Sequence, residues 1–257
     1  MRRSGALGPL ALVLALAGAG AAALGLLGFK FGWLNWGMAE FLVRTAPQPL
    51  ELIGGAFGLA AIVFALLAKP RGGVGTALVA IVIAAVTYAG IAAQNAYDGR
   101  FAPIHDVSTS WTDPVAPSAV LASARGKDSL PVETAPKVAA GAAPIYAGLN
   151  VAEVNARTCP AAVPVTLTTT PDKAYPLALK AVKDRGLQLV TDDPAHGVIE
   201  ATSTNFWNMK EDVMVRVRAE GAGSRIDIRS ISRQGTNDRG HNCRRVTQLR
   251  AALTPGA

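Results

Sequence analysis

The sequence predicts an α+β protein: three N-terminal transmembrane helices, then an antiparallel sheet with two helices on one face. Three observations carry this. Charge segregates along the chain: residues 1–94 hold six basic and two acidic residues, whereas residues 161–257 hold fourteen and ten. The poorly charged part contains three apolar runs, each close to the ~20 residues that cross a bilayer. After residue 160, short alternating runs and helical repeats follow in the order strand, helix, four strands, helix, which suits a two-layer sandwich.

The first run spans residues 7–28, behind Arg2 and Arg3. A basic start and the small residues Ala17-Gly18-Ala19 also fit a signal peptide, but the run is longer than a usual signal core and reads as an uncleaved helix. Residues 30–49 form the first loop. Trp33, Trp36 and Phe41 beside Lys30 and Arg44 suit a membrane–water interface, an ordinary short loop being the alternative. The second run, residues 50–68, contains Gly54 and Gly58, a Gly-xxx-Gly step that lets another helix approach and offers a contact for a membrane-protein partner. The third run, residues 74–93, presents Ala80, Ala84 and Ala85. The basic flanks Arg2, Arg3, Lys69 and Arg71 place the N-terminus in the cytoplasm and everything after Tyr97 outside.

Residues 95–160 contain seven prolines and almost no periodicity, and read as an extended extracytoplasmic connector between the transmembrane domain (1–94) and a soluble α+β domain (161–254). Within it, Asp106-Val-Ser-Thr reads as an Asx or Ser/Thr turn.

The soluble domain opens with the β-branched strand 163–169. Thr170-Pro171 starts a helix with a cap and a proline in first position, along which Ala174, Leu177, Ala178, Ala181 and Val182 share a face. Pro176 delays or bends that helix. Strands follow at 187–191, 198–203 and 213–217, and a Gly-containing turn at 220–224 leads to a strand around Ile226 and Ile228. Thr236, Asn237 or Asp238 caps a last helix on which Asn242, Val246, Leu249 and Leu253 share a face.

These residues carry a family resemblance. Gly197-Val-Ile-Glu-Ala-Thr-Ser203, Lys210-Glu211-Asp212-Val213, Ile228-Arg-Ser-Ile-Ser-Arg-Gln-Gly235, and Asn237-Asp238 with Asn242 and Arg245 resemble the domain of unknown function 1499 family. The patch Pro103–Thr109 and the three spans resemble its membrane-bound branch. The resemblance covers most of residues 95–254 and implies no activity. It marks Glu211, Asp212, Ser230, Ser232, Gly235, Asp238 and Asn242 as motif positions that hold the fold. Asn237 departs from the family's usual Ser, Glu211 exchanges one acid for another, and Cys159 and Cys243 stand outside its pattern.

The most cationic stretch is 229–246. Arg229, Arg233, Arg239 and Arg245 flank a Gly-containing turn that enters a helix, an arrangement able to hold a phosphate or carboxylate. The competing reading pairs these arginines with Glu200, Glu211, Asp212 and Asp238. A hydrolase would draw on Ser230 or Ser232 with His241, but no nucleophile-elbow signature is present. His105, His196 and His241 lack ligand spacing, so neither a metal nor another cofactor is expected. The net charge of +7 is divided between membrane flanks and a domain of mixed sign, and gives no nucleic-acid reading. Cys159 and Cys243, both in the part placed outside, are expected to form a disulfide.

The chain is thus expected to be a bacterial inner-membrane protein with a cytoplasmic N-terminus and a periplasmic C-terminal domain. That domain would bind a protein partner or an anionic envelope lipid of the membrane; the alternative is an envelope-acting hydrolase using the Arg-rich turn and His241.

Overall fold

A computed structural model describes residues 6–67, 73–139 and 142–254. The chain forms two compact units, Met1–Tyr97 and Asp98–Ala257. Arg2, Arg3, Lys69 and Arg71, on which the expected orientation rests, lie outside the described residues.

In the first unit, α1 runs over Leu7–Lys30. The expected first loop is mostly helical: α2 covers Trp36–Glu40, a π-helical turn covers Phe41–Thr45, and α3 follows at Pro47–Leu67. The π turn has a local cause. Pro47 and Pro49 have no N–H to donate, and the Ala46 N–H reaches back to Phe41 O; Gln48 Nε2 donates to Arg44 O at 2.6 Å and satisfies an acceptor there. The third long helix, α4, spans Val74–Asp98. Three helical stretches, Leu7–Lys30, Trp36–Leu67 and Val74–Asp98, are long and apolar enough to cross a membrane.

Gly54 and Gly58, expected to receive a membrane-protein partner, face the chain's own helices. A Cβ on Gly54 would lie 3.3 Å from Ala11 O and Ala15 N, and one on Gly58 would lie 2.7 Å from Ile81 Cγ1. The small residues are used to bring α3 against α1 and α4.

The second unit is built on an antiparallel sheet in the order β1-β6-β5-β4-β3, with β2 also paired to β6. Its strands are β1 (Asp106–Ser108), β2 (Val165–Leu167), β3 (Gln188–Asp193), β4 (Val198–Thr204), β5 (Lys210–Glu220) and β6 (Gly223–Ser232). The short strands β1 and β2 share the outer edge of β6, β1 pairing with residues 229–231 and β2 with 224–226.

Helices α7 (Pro171–Asp184) and α8 (His241–Leu253) cover one face. There Val213, Val215, Val217, Ile226 and Ile228 pack with Ala174, Ala178, Val182, Val246 and Leu249. Pro176 lies within α7 and does not delay its start. Leu177, expected on the apolar face, is exposed; Tyr175 is buried instead and donates to Asp192 Oδ1 at 2.7 Å. Burial and that carboxylate push the Tyr175 phenol well above its ordinary range.

The stretch 95–160 is not an extended arm. Beyond β1 it contributes α5 (Ala119–Arg125) and α6 (Val151–Thr158), and it belongs to the second unit from Asp98 onward. Asp106-Val-Ser, read as a turn, is β1: the open edge of β6 supplies backbone partners that a local turn would otherwise provide. Residues from Val115 to Val132 cover the sheet face opposite α7 and α8, where Val115, Leu121 and Val132 pack with Met214 and Ile231.

Candidate functional site

Strand alternation divides the motif between two faces. Val213 and Val215 point to the helices, so Glu211 does too, while Asp212 points the opposite way. On β6, Ser230 and Ser232 share the helix face, and Arg229 and Ile231 share the other.

The face away from the helices carries a buried layer of ion pairs. Arg229 is 1% exposed. Its Nε and Nη2 donate to Asp106 at 3.0 and 2.5 Å, Nη1 to Val115 O at 3.1 Å, and Nη2 also to Glu133 O at 2.6 Å. Its guanidinium lies 5.4 Å from the centre of the Trp111 ring. Arg233 is 5% exposed and donates to both oxygens of Asp212, to Ala124 O at 2.7 Å and to Thr202 Oγ1 at 3.1 Å. Asp212, fully buried, also receives Arg125 Nη1 at 2.5 Å and Thr202 Oγ1 at 2.7 Å. Glu200 accepts the Ser118 N–H and hydroxyl at the start of α5, together with the Thr191 hydroxyl. Three buried arginines thus meet two buried carboxylates, Asp106 and Asp212, while the buried Glu200 is held by hydroxyl and N–H donors alone. Such a layer is tolerated because nearly every donor has an acceptor.

On the helix face the motif makes a second network. Asn242 Oδ1 accepts the Ser230 hydroxyl at 2.6 Å, and its Nδ2 donates to Ser232 Oγ at 3.0 Å and His105 O at 2.9 Å. Arg245 donates to Glu211 and to Ser230 Oγ. Asp238, rather than Thr236 or Asn237, serves α8: its carboxylate accepts the N–H groups of Gly240 and Asn242 at 2.8 and 2.7 Å. Burial raises the Asp238 carboxyl above its ordinary range against those two N–H groups, which favour its charge. The turn needs left-handed backbone at Gly235 and Gly240, with φ near +74° and +73°, and imposes it on Arg239 at +54°. Arg239 pairs with Asp98 at 2.7 Å.

The four arginines considered for anion binding therefore do not converge. Arg229 and Arg233 lie on one side of the sheet, Arg245 on the other, and Arg239 in the loop before α8; each meets a carboxylate of this chain. Ser230 and Ser232 are buried and held by Asn242, whereas His241 is exposed on α8. No serine–histidine hydrogen bond assembles there among the described residues. Nor do three His, Cys, Asp or Glu side chains converge in a metal-holding group among them.

Cys159, at the end of α6, is bonded to Cys243 in the first turn of α8, with Cα atoms 5.8 Å apart. The partners Arg125 and Ser118 carry no motif of their own, and Asp106, although it stands in the patch Pro103–Thr109, is not linked by that patch to Arg229. The sequence hint of such partners is the excess of arginines over acids around residue 229.

His105 lies beside this layer. Burial, reinforced by Arg125 and Arg229, holds its imidazole below the ordinary 6.5, against the opposing pull of Asp106 and Glu133. Below pH 6.5 the unfolded chain therefore takes up a proton that the folded unit refuses, until the folded value is passed. The stability present above pH 6.5 is lost as pH falls through that window. Thermal melts of His105→Asn should show a shallower decline over the same window than wild type. Asp238 has the opposite sign, its contribution fading as pH rises from 3.8, so the difference between His105→Asn and wild type isolates the histidine.

The family described as protein of unknown function (DUF1499) matches residues 110–253. Nothing matches the chain among curated proteins or among solved structures. The matched span runs from the stretch that covers the buried arginines to the end of α8, and it takes in both networks except Asp106 and the His105 carbonyl, which precede it. More than half of the chain is matched, and the protein belongs to the DUF1499 family of proteins of unknown function.

Proposed function

We propose that this chain is a multi-pass protein of a bacterial inner membrane, with a cytoplasmic N-terminus, that holds its α+β unit on the extracytoplasmic side as a recognition module without chemistry of its own. The observation that carries the location is the Cys159–Cys243 bond, since disulfides persist in oxidising compartments. Recognition is favoured over hydrolysis because the candidate nucleophiles Ser230 and Ser232 are consumed by Asn242. The ligand is an anionic envelope lipid or a protein partner. Arg239, with its side chain 39% exposed, and the exposed Arg244 at the start of α8 are the cations placed to meet it.

Two measurements test this. In intact spheroplasts, a membrane-impermeant amine-reactive ester should label the exposed Lys173, Lys180 and Lys183; labelling only after lysis would reverse the orientation. Purification from native membranes should bring down anionic lipid, and Arg239→Gln with Arg244→Gln should reduce it while His241→Ala does not. A protein that copurifies in place of lipid would make the ligand a partner. Recovery of neither, or a phenotype lost with His241→Ala alone, would overturn the recognition reading.

A further inference from the structure

Glu51 lies inside the second apolar run and is 2% exposed. It enters neither network of the second unit, and neither of its carboxyl oxygens has a hydrogen-bond partner among the described residues. Its side chain crosses to α1 at Gly18. A Cβ on Gly18 would lie 2.8 Å from Glu51 Cδ and closer still to Oε1, so the missing side chain of Gly18 is the space the carboxyl occupies. The Thr87 hydroxyl on α4 lies close by without meeting the geometry of a hydrogen bond.

The depth of this group is set by the helices around it. Gly18 is central in α1 (Leu7–Lys30), and Thr87 is central in α4 (Val74–Asp98). At about 1.5 Å per residue, either end of α1 is ~17 Å from Gly18. That is about half the thickness of a bilayer's hydrocarbon core. No charged side chain lies on α1 before Lys30 or on α4 before Asp98. The cation on Glu51's own helical stretch, Trp36–Leu67, is Arg44, which donates to Asn95 Oδ1 at 2.5 Å. A carboxylate with no counter-ion at that depth costs several kcal/mol, and ionisable groups kept within spans mark proton or ion sites.

We propose that Glu51 is a proton-binding site of the membrane unit, one that an apolar carbodiimide can reach and modify. This rests on the membrane-spanning reading of α1, α3 and α4. The modification is chemically closed. The acid proton adds to one carbodiimide nitrogen and the carboxyl oxygen to its central carbon, giving an O-acylisourea. With little water or amine nearby, the acyl group then migrates from oxygen to nitrogen. Nothing leaves, so the peptide gains one whole reagent molecule.

The test uses the full chain in native membrane vesicles. It is treated with dicyclohexylcarbodiimide or with a water-soluble carbodiimide plus glycine ethyl ester, washed with alkaline carbonate, and mapped by peptide mass. The apolar reagent should modify Glu51 in preference to the exposed Glu40 at the end of α2, with the yield falling as pH rises, and the water-soluble reagent should spare Glu51. Gly18→Ala, which fills the seat, should lose most of the Glu51 labelling while the chain stays in the bilayer. A carbonate-resistant chain whose Glu51 resists the apolar reagent, or reacts readily with the water-soluble one, overturns the proposal. Release by carbonate would instead overturn the membrane-spanning reading, and this proposal with it.

Discussion

Asp212→Ala is expected to destabilise the α+β unit by about 3–5 kcal/mol, the usual cost of removing one partner from a buried ion pair. Asp212 is fully buried and serves two buried arginines, Arg125 and Arg233. Neither can reach water for compensation without dislodging its backbone acceptor, Leu130 O for Arg125 and Ala124 O for Arg233. Against a total folding stability of ~5–15 kcal/mol this is a large fraction. Thermal or urea unfolding of the full chain in detergent measures it. Asp212→Asn, which keeps the shape and part of the hydrogen bonding, should fall between wild type and alanine. Arg233→Ala combined with Asp212→Ala should cost less than the sum of the two, because the pair leaves together. If Asp212→Ala melts like wild type yet loses ligand capture, the layer is a binding site and not a staple.

The second large effect is expected at the disulfide. Cys159 and Cys243 are separated by 84 residues. On the chain-entropy account, opening a loop of that size costs about 4–5 kcal/mol. Cys159→Ser with Cys243→Ser should therefore lower the unfolding midpoint strongly, and a reductant should lower that of the wild type while leaving the double variant unmoved. A reductant-insensitive wild type would contradict the bond and remove the main support for an extracytoplasmic domain.

These two predictions differ in how far the sequence announces them. Two cysteines in an otherwise cysteine-free chain suggest one bond, and the pairing needs no three-dimensional information. The Asp212 layer is different. Its acid stands next to Glu211 in a recognisable strand start, but only pleating separates the two, sending Glu211 to Arg245 on α8 and Asp212 to Arg125 and Arg233. The basic stretch 229–246 has the composition of an anion site, and nothing in composition says that its arginines leave in different directions.

Unbroken apolar length was enough for the three long N-terminal helices, and periodicity for the strands from β3 to β6 and the buried face of α8, because each of these rests on a property of one segment. Residues 98–160 have no such repeat. They fold because Arg229 and Arg233 hydrogen-bond to the carbonyls of Val115, Glu133 and Ala124, and because the edge of β6 has room for Asp106–Ser108. A backbone carbonyl is the same in every residue, so its part in a buried ion-pair layer leaves no mark on the sequence. Glu51 illustrates the same limit within the apolar runs: its identity is plain to read, but the seat made for it by Gly18 exists only once α1 and α3 have packed. Sequence determined the long apolar helices, the strands β3 to β6, the two helices α7 and α8, and the family. Tertiary packing decided which charges are buried, and it turned a candidate anion loop into the clasp between sheet and covering chain.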